Sequence, residues 1–408
     1  MELKASEKKR LEGTRIIFVV GDLELGGAQR QALLLARHLI DNEKANVEMW
    51  GLSTHAGDVA KICEEAGIPW RLFPINWYTH RKREKFRDLT RLTLTLRRAQ
   101  PDVILSYLIV PNVACGLVWR WTGAQVCVWN QRCAGTERLG KRVERIAIKR
   151  VPWFATNSEG GAQFLVRTLG APAKRVRVIH NLVQLAPPRM DRTGWRRELG
   201  LSDDAFVACM IANLSKHKDH ATLLRAWRHF LNNWDAKGRS AVLLLAGRYD
   251  VSPETLKALA FDLDLGKNVR FMGQVQDVTG LLSAVDLAVL SSPSEGTPNS
   301  ALEAMAQGLA VVGTDNPGMR ETLGTGGEEY LSPVGDAESL ANQILRQASD
   351  SSLRALVGSM NRKRIEKEFH PHIAGNQMVS LILEGLQESE PRPSNLTPKM
   401  QGTSPTNY

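Results

Sequence analysis

Residues 287–315 read LAVLSSPSEGTPNSALEAMAQGLAVVGTD and place two short apolar runs on either side of a segment of small residues. The two runs predict buried strands, and the segment between them predicts a helix from about Pro298 to Gln307. Thr297 is the expected N-cap, Pro298 suits the first helical position, and Gly308 suits the residue after the helix. A strand, a helix and a second strand in this order predict parallel pairing of the two strands.

The same alternation of strand and helix runs through most of the chain and falls into two series. The first contains the runs RIIFVVG, NVEMWGL, DVILSYL, AQVCVWN, WFATNS and RVRVIHN, and the second contains DAFVACMIANLS, SAVLLLAG, NVRFMGQV, LAVLSS, LAVVGTD and EEYLSP. Each series predicts a parallel sheet with helices on both faces, so the expected fold is α/β with two doubly wound, Rossmann-like domains. Because ligands of such sheets bind at the carboxyl ends of the strands, the cleft between the two domains is the expected site.

The Pro-rich segment LAPPRM separates the two series. We predict a first domain over residues 1–186, a second over 187–366, a helix over 367–387 that packs back toward the first domain, and a disordered tail over 388–408. The tail prediction depends on a polar, Pro-rich composition that cannot bury enough apolar surface to order itself.

Composition and charge narrow the class of protein. The 408 residues carry a formal net charge of +10, which indicates an acidic partner such as a phosphorylated ligand, an anionic membrane or nucleic acid. No run of about 18 apolar residues occurs and the charged start lacks an apolar segment, so we expect neither a membrane-spanning helix nor a secretory signal. The cysteines form no C-x-x-C pair, which fits a reducing cytoplasm and argues against a structural zinc site; they are Cys63, Cys115, Cys127, Cys133 and Cys209.

Two glutamates, Glu295 and Glu303, have seven residues between them in the loop and helix after residue 290. Glu295 follows the carboxyl end of a predicted strand, so it should face the cleft. The N–H groups of the first helical turn, at Asn299 and Ser300, form an anion site suited to a phosphate. Glu303, more than one turn further, is placed to bind a pair of hydroxyls. The bare spacing alone favours a turn glutamate and a surface helix glutamate, but the context of strand end, cap and small-residue helix outlines a nucleotide-sugar site.

The stretch closely resembles the E-x7-E signature of the retaining glycosyltransferases of GT-B architecture, family 4 or group 1, which include sucrose synthases and bacterial mannosyltransferases. Both glutamates match, as does the EAMAxGxxVV continuation, and the resemblance extends from Arg15 to about Gln387. It implies that Glu295 faces the donor sugar and that Glu303 holds the ribose of the nucleotide.

Two further motifs resemble parts of that family. GDLELGGAQRQ resembles its N-terminal glycine-rich loop, in which Gly26 and Gly27 would let the backbone approach the diphosphate and the acceptor; an ordinary strand-to-helix turn would read the same. IANLSKHKDH resembles the segment that carries a diphosphate-binding Arg and Lys. Lys218 matches the Lys, but Asn213 stands where the Arg is expected. Lys216 and Ser215 are candidates to substitute for it, although a solvated loop is the preferred interpretation for Lys216 and His217.

Many family members carry a His after the fourth strand of the first domain, and here Asn130, Gln131 or Arg132 in VWNQRCAG would occupy that place. The resemblance also implies nucleotide contacts at Gly247 and Arg248 in LLLAGRYD, although a surface arginine fits Arg248 equally well. The predicted catalytic residues are Glu295 and Lys218. The predicted substrate-binding residues are Gly26, Gly27, Asn213, Lys218, Gly247, Arg248, Glu295, Gly296, Thr297, Pro298, Asn299, Ser300 and Glu303. No metal or other cofactor is expected. The D-x-D pattern of Asp262 and Asp264 lies at a predicted helix end and is interpreted as a solvated acidic pair.

Two basic segments predict a contact surface. Residues 81–98 carry eight Lys and Arg residues with Trp77, Tyr78 and Phe86 nearby, and residues 138–149 place Arg138, Arg142, Arg145 and Lys149 on one helical face. Such segments bind anionic lipid head groups or nucleic acid, or are simply solvated. The resemblance favours a membrane, since family members often act on lipid-linked acceptors.

The preferred interpretation is a cytoplasmic retaining glycosyltransferase that contacts the cytoplasmic face of the membrane. It would move a sugar from a nucleoside-diphosphate sugar to a glycan or lipid-linked acceptor in polysaccharide, lipopolysaccharide or glycolipid synthesis. The alternatives are a sugar-nucleotide epimerase or phosphorylase on the same fold, a transferase that has lost its activity and serves as a scaffold, and a non-catalytic basic protein that binds nucleic acid or glycan.

Overall fold

The computed structural model describes residues 10–132, 138–235, 239–250 and 252–389. Within these residues, the first sheet is parallel and has the strand order β3-β2-β1-β4-β5-β6-β7. Its strands are β1 (Arg15–Val20), β2 (Asn46–Gly51), β3 (Trp70–Leu72), β4 (Val103–Tyr107), β5 (Val126–Gln131), β6 (Trp153–Thr156) and β7 (Val176–Val178).

The second sheet is also parallel and has the order β10-β9-β8-β11-β12-β13. Its strands are β8 (Phe206–Ile211), β9 (Ala241–Ala246), β10 (Val269–Gly273), β11 (Leu287–Leu290), β12 (Ala310–Thr314) and β13 (Leu331–Ser332). In both sheets the strand order reverses direction beside the first strand of the series, and a crevice opens at the carboxyl ends there.

Helices connect successive strands in each series. In the first they are α1 (Gly27–Glu43), α2 (Asp58–Glu65), α3 (Lys82–Ala99), α4 (Ile109–Val118), α5 (Lys141–Arg150) and α6 (Glu159–Gln163). The helices that follow are α7 (Arg192–Glu198), α8 (His220–Asn233), α9 (Glu254–Asp262), α10 (Val278–Ala284), α11 (Asn299–Ala306), α12 (Pro317–Leu323), α13 (Ala337–Ser349), α14 (Ser351–Glu368) and α15 (Pro371–Glu388).

Both faces of each sheet are buried. In β1, Ile16, Phe18 and Val20 pack into one core while Ile17 and Val19 pack into another on the opposite face. A strand covered on both sides reads as a continuous apolar run, which is why RIIFVVG and SAVLLLAG were recognisable as strands. The two-sheet α/β fold predicted from the sequence is confirmed.

One strand was not predicted. β3 is a three-residue edge strand whose Trp70 and Leu72 are half-buried while Arg71 is exposed. Its only neighbour is β2, so it lacks the apolar run that marks the central strands.

The chain leaves the first sheet at β7 and returns to it at α15. Arg177 of β7 pairs with Glu384 of α15 at 3.2 Å, and Gly375 of α15 lies so close to His38 of α1 that a Cβ there would come within 2.5 Å of the ring. Helices α13 and α14 pack instead on α8 and α11 of the second series. The predicted disordered tail lies outside the described residues from residue 390 onward, and Glu388 still belongs to α15.

Candidate functional site: a cleft between the two sheets

A cavity of about 430 Å³ lies between the two sheets, at the carboxyl ends of their strands. All of the predicted binding residues line it: Gly26, Gly27, Asn213, Lys218, Gly247, Arg248, Glu295, Gly296, Thr297, Pro298, Asn299, Ser300 and Glu303. Of the three residues predicted after β5, Arg132 lines the cavity, whereas Asn130 and Gln131 are buried residues of the strand itself. The structure therefore brings the predicted set together; the role of each residue stays a prediction.

Glu295 lies in the loop after β11 and forms an ion pair with Lys218, with Nζ 2.5 Å from Oε1. The Lys218 side chain is 30% exposed and that of Glu295 is 11% exposed, so the pair is partly screened from water. Ser291, at the end of β11, donates a hydrogen bond to the Lys218 carbonyl at 3.0 Å. This bond ties the Lys218 turn to the strand that carries Glu295, and so fixes the distance between the two side chains.

The loop that carries Glu295 is held against the start of α12. A Cβ at Gly318 would lie 2.2 Å from the carbonyl oxygen of Gly296 and 2.5 Å from that of Glu295, so only glycine allows this approach. Asn316 caps α12 and donates to the Ser292 carbonyl at 3.0 Å. Gly318 was not predicted, because its role depends on a backbone contact between segments that share no local pattern.

The predicted N-cap of α11 was wrong by one residue. The helix begins at Asn299 with Pro298 at the N-cap, and no side chain caps it. Thr297 instead donates its hydroxyl to the Asn157 carbonyl, 2.7 Å away, in the loop after β6 of the first sheet. The cap rule failed because a long-range acceptor took the hydroxyl. Asn299 and Ser300 remain the first residues of the helix, where N–H groups have no carbonyl in a preceding turn.

Glu303, one turn further along α11, is buried and pairs with Arg30 of α1, with Nη1 2.8 Å from Oε1. Burial raises the pKa of the Glu303 carboxyl, and the Arg30 charge and hydrogen bond oppose that rise. Arg30 was not predicted as a site residue, although it lies three positions after Gly27 in the glycine-rich segment.

Three amide side chains join the two halves of the cleft. Asn181, in the segment after β7, donates to the Thr297 carbonyl at 3.0 Å and to Asn299 Oδ1 at 2.7 Å. Gln31 of α1 donates to the same Asn299 oxygen at 3.2 Å, and Asn299 donates to the Gly27 carbonyl at 3.2 Å. Arg132 adds a 3.1 Å bond to Asn181 Oδ1. The first turn of α11 is thus fastened to the first sheet's side of the cavity.

The end of β9 supplies a second charged pair. Arg248 donates to Asp250 Oδ1 at 3.0 Å, and Asn213 donates to Asp250 Oδ2 at 3.1 Å. A Cβ at Gly247 would come within 2.1 Å of the Ala212 carbonyl oxygen, so glycine is needed where the ends of β8 and β9 meet. Arg248 therefore lies beside Asn213, the position where the expected arginine is missing.

The structure places the D-x-D pattern away from the cavity. Asp262 ends α9, and Asp264 pairs with Arg228 of α8 at 3.2 Å. Among the described residues, no group of three or more His, Cys, Asp or Glu side chains is arranged to hold a metal ion.

No residue of the two basic segments, 81–98 and 138–149, lines this cavity. Tyr78 and Phe86 are 67% and 74% exposed, but Trp77 is buried and packs under Lys85, so it is not a surface aromatic. Arg138 lies before the start of α5 and pairs with buried Glu144, and is therefore not part of the predicted helical face. No helix in the described part of the chain is both long and apolar enough to cross a bilayer.

Both family matches and individual relatives support the resemblance to glycosyltransferases. Residues 191–364 match the family described as Glycosyl transferases group 1, and residues 25–186 match Glycosyltransferase Family 4. The chain is 30% identical over 307 residues to the lipopolysaccharide core biosynthesis glycosyltransferase LpsE of Rhizobium meliloti (strain 1021), covering 73% of this chain and 82% of LpsE. It is 28% identical over 222 residues to the N-acetyl-alpha-D-glucosaminyl L-malate synthase of Bacillus anthracis, and that alignment spans only about half of each protein, 54% and 56%.

Among solved structures, Anabaena Alr3699/HepE in complex with UDP-glucose has a TM-score of 0.76 and 19% identity, and the match covers 91% of this chain and 100% of that one. At this identity the likeness establishes the GT-B fold. Together with the alignment to LpsE and the two family matches, it shows that the chain belongs to the group 1, family 4 glycosyltransferases of GT-B architecture.

Proposed function

We propose that the protein is a retaining glycosyltransferase that transfers a sugar from a nucleoside-diphosphate sugar to an acceptor hydroxyl. The observation that carries the proposal is the single cavity that Glu295, Lys218, the start of α11 and Glu303 share. Relatives named for lipopolysaccharide and capsular polysaccharide biosynthesis favour a glycan or lipid-linked acceptor in polysaccharide, lipopolysaccharide or glycolipid synthesis.

The donor would lie along the first turns of α11. The diphosphate would accept hydrogen bonds from the N–H groups of Asn299 and Ser300, where the helix dipole also favours negative charge. The ribose would bind at Glu303, and the sugar would extend back toward Glu295 in the loop before the helix. Along the chain, Glu295, the first turn of α11 and Glu303 follow one another in the same order as sugar, diphosphate and ribose in the donor. HepE has been solved with UDP-glucose, which supports a nucleotide sugar as the donor.

In the reaction, the bond between the anomeric carbon and the diphosphate oxygen breaks while the acceptor oxygen bonds to the same face of that carbon. The electron pair of the broken bond stays on the diphosphate, and the acceptor proton passes to a diphosphate oxygen. Positive charge develops on the sugar and negative charge on the leaving group. Glu295 stabilises the former and Lys218 the latter, because fixed charges in a closed cleft need little reorganisation.

Lys218 and Glu295 form an ion pair, so a donor that contacts either side chain changes the surroundings of both charges. The Lys218 ammonium has three donors and can keep Glu295 as a partner while a second N–H reaches the diphosphate. Arg248 is a candidate for the cation that Asn213 lacks, since it lies in the same cavity and its guanidinium has further donors beyond the bond to Asp250.

The acceptor side of the proposal includes contact with an anionic membrane. On the first domain an apolar groove of about 360 Å³ runs between α3 and the end of α4, and exposed Phe86, Leu94 and Trp121 surround it. Arg150 of α5 lines the groove, and both α3 and α5 carry exposed arginines: Arg83, Arg87, Arg91, Arg97, Arg98, Arg142 and Arg145. Aromatic groups flanked by cations suit the head-group region of a bilayer.

Flotation with liposomes tests the membrane contact. The protein should float with vesicles of phosphatidylglycerol and phosphatidylcholine, and a few-fold less with phosphatidylcholine alone or at high salt. Binding that ignores both lipid charge and salt would contradict the proposal.

The transferase activity is tested by incubating the protein with UDP-, GDP- and ADP-sugars and lipid-linked or oligosaccharide acceptors. We expect acceptor-dependent release of nucleoside diphosphate and, by NMR of the product, the anomeric configuration of the donor. An inverted product would overturn the retaining mechanism. Conversion of the donor without an acceptor would indicate an epimerase, and phosphate-dependent cleavage of a glycan would indicate a phosphorylase.

A further inference from the structure

The first two turns of α1 reach across the cleft to α11. Gly27 accepts a hydrogen bond from Asn299, Gln31 donates to Asn299, and Arg30 pairs with Glu303. Arg30 and Glu303 are far apart in the sequence and follow strands of different sheets. The ion pair between them therefore exists only while the two domains face each other as they do here.

Glu303 is more buried than its partner. The Glu303 side chain is 10% exposed and that of Arg30 is 32% exposed, with 2.8 Å between Nη1 and Oε1. A buried carboxylate without a cation takes up a proton rather than remain charged. The ion pair is made through Oε1, which leaves Oε2 to accept from a ligand hydroxyl.

The other charged groups around the cavity are occupied elsewhere. Lys218 pairs with Glu295, Arg248 pairs with Asp250, and Arg132 donates to Asn181. Strands β11 and β12, which pack on α11, contain no titratable side chain. Helix α14 also packs on α11. Its charged residues have their own partners or are exposed: Arg354 donates to the Gln347 carbonyl, Arg362 pairs with Glu366, Arg364 pairs with Glu368, and Lys363 and Lys367 are exposed. Within the described residues, Arg30 is the charged partner of Glu303.

We propose that Arg30 is a positioning residue for the nucleotide: a group of one domain that keeps Glu303 of the other domain ionised and oriented to bind ribose. The proposal rests on the proposed function, because it takes Glu303 as the ribose acceptor. Its consequence is that nucleotide affinity, although the nucleotide lies on the second domain, depends on a side chain of the first.

The role predicts a change in pH dependence, with a sign that follows from the burial of Glu303. Without Arg30, nothing opposes the rise that burial causes in the pKa of Glu303, so the carboxyl stays protonated to a higher pH than in wild type. A protonated Glu303 must lose its proton to bind the ribose as a carboxylate. The cost of that loss is largest at low pH and disappears as the pH rises above the pKa of the carboxyl.

The experiment is calorimetric titration with UDP, GDP and ADP from about pH 6 to about pH 9, in pairs of buffers that differ in ionisation enthalpy. The variants are Arg30→Gln, Arg30→Lys, and Arg37→Gln as a matched loss of one charge at an exposed position of the same helix. Thermal unfolding of each variant checks the fold. The nucleotide's own phosphate titration is common to all of them, so affinities are compared as ratios to wild type at each pH.

Arg30→Gln should bind about tenfold more weakly than wild type at the low end, the effect of one pKa unit, and the ratio should approach a constant as the pH rises. At the low end of the pH range, binding to this variant should release more protons than binding to wild type. Arg30→Lys should restore most of the wild-type profile, and Arg37→Gln should match wild type throughout.

Two failures would be distinguishable. If Glu303→Ala leaves nucleotide affinity unchanged, the ribose role of Glu303 falls and the proposed function must be revised. If Glu303→Ala weakens binding but Arg30→Gln follows the wild-type pH profile with no extra proton released, then Arg30 does not control Glu303 and this inference is wrong.

Discussion

The two carboxylates of the cavity differ in where their cations come from. Glu295 pairs with Lys218 of its own domain, and a hydrogen bond from Ser291 to the Lys218 backbone supports that pair. Glu303 pairs with Arg30 of the other domain. An ion pair within one domain stays formed when the domains move, whereas an ion pair between domains forms only when the cleft is closed. Glu295 and Lys218 are therefore a preassembled part of the site, whereas Glu303 and Arg30 come together only when the domains close.

The two pairs also have different proposed roles in the reaction. Glu295 and Lys218 are proposed to act on charge that develops in the transition state, for which a fixed geometry is an advantage. Glu303 and Arg30 are proposed to act on a ground-state ligand, for which binding and domain closure can be coupled. Mutation should therefore affect rate at the first pair and affinity at the second.

The largest effect is expected for Glu295→Gln, which keeps the size of the side chain and removes its charge. Turnover should fall about 10²–10³-fold, the range for losing one electrostatic contact to a transition state. The affinity for free nucleoside diphosphate should stay near wild type, because Glu295 is placed beyond the diphosphate. Steady-state turnover with the correct donor, beside calorimetric titration of the nucleotide, makes the measurement. Equal losses in both would show that Glu295 only supports the loop.

A somewhat smaller loss of turnover, about 10²-fold, is expected for Lys218→Ala. The start of α11 continues to stabilise the diphosphate when the ammonium is gone, so part of the leaving-group stabilisation remains. The side chain is 30% exposed and packs at the cavity, so the melting temperature should change little. Wild-type turnover in this variant would remove Lys218 from the mechanism. Lys216→Ala, two residues earlier on the same turn, is a control for loss of charge.

Most of the fold and the second domain's side of the site could be predicted from the sequence, because local rules decide them. The apolar runs of buried parallel strands and the glycine after α11 act within a few residues, and Gly308 has the expected left-handed φ of 81°. The Arg138 prediction failed at a local boundary: α5 begins only at Lys141, and Arg138 pairs with Glu144 from a position before the helix. The N-cap prediction failed because the partner is distant in sequence: Thr297 bonds Asn157, 140 residues away, rather than capping its helix.

The first domain's side of the site was largely missed because its partners are also distant in sequence. Gln31, Asn157 and Asn181 have no pattern in common along the chain, and the fold alone brings them to α11. Arg30 lies in a quoted motif, but only the structure shows that it reaches Glu303. A resemblance identifies the residues that match a family's motif, but it does not show which other side chains those residues contact in the fold.

The proposed role of Glu303 in nucleotide affinity is tested by Glu303→Ala. Loss of a charged acceptor for ribose should weaken nucleoside diphosphate binding by ~1.5–3 kcal/mol, or about 10- to 150-fold. Turnover at saturating donor should change less than it does in Glu295→Gln, because the lost contact is made before the reaction as well as during it. Titration calorimetry and saturation kinetics provide the two numbers. If nucleotide affinity is unchanged and turnover collapses, the roles of the two glutamates have been exchanged.

The smallest effect, and the sharpest test of the difference between the pairs, is expected for Asn299→Ala. Among the described residues, the partners of the Asn299 side chain all lie outside its own domain: it accepts from Gln31 and Asn181 and donates to the Gly27 carbonyl. One neutral hydrogen bond contributes ~0.5–1.5 kcal/mol. Because the three bonds hold the junction and do not contact the donor, we expect about the equivalent of one bond to appear in donor affinity, a fall of about 2- to 13-fold. The affinity should fall because the junction between the two domains is loosened; the backbone N–H of residue 299, which is proposed to bind phosphate, is retained. Small-angle scattering without ligand should therefore show a larger radius of gyration, and saturating nucleotide should reduce it. Asn361→Ala is the matched control, because that amide bonds the Leu309 carbonyl within the second domain and should lower stability without changing the radius. If Asn299→Ala and Asn361→Ala behave alike, the first turn of α11 is not a junction between the domains. The contrast between a preassembled pair and a closure-dependent pair would then lose its structural basis.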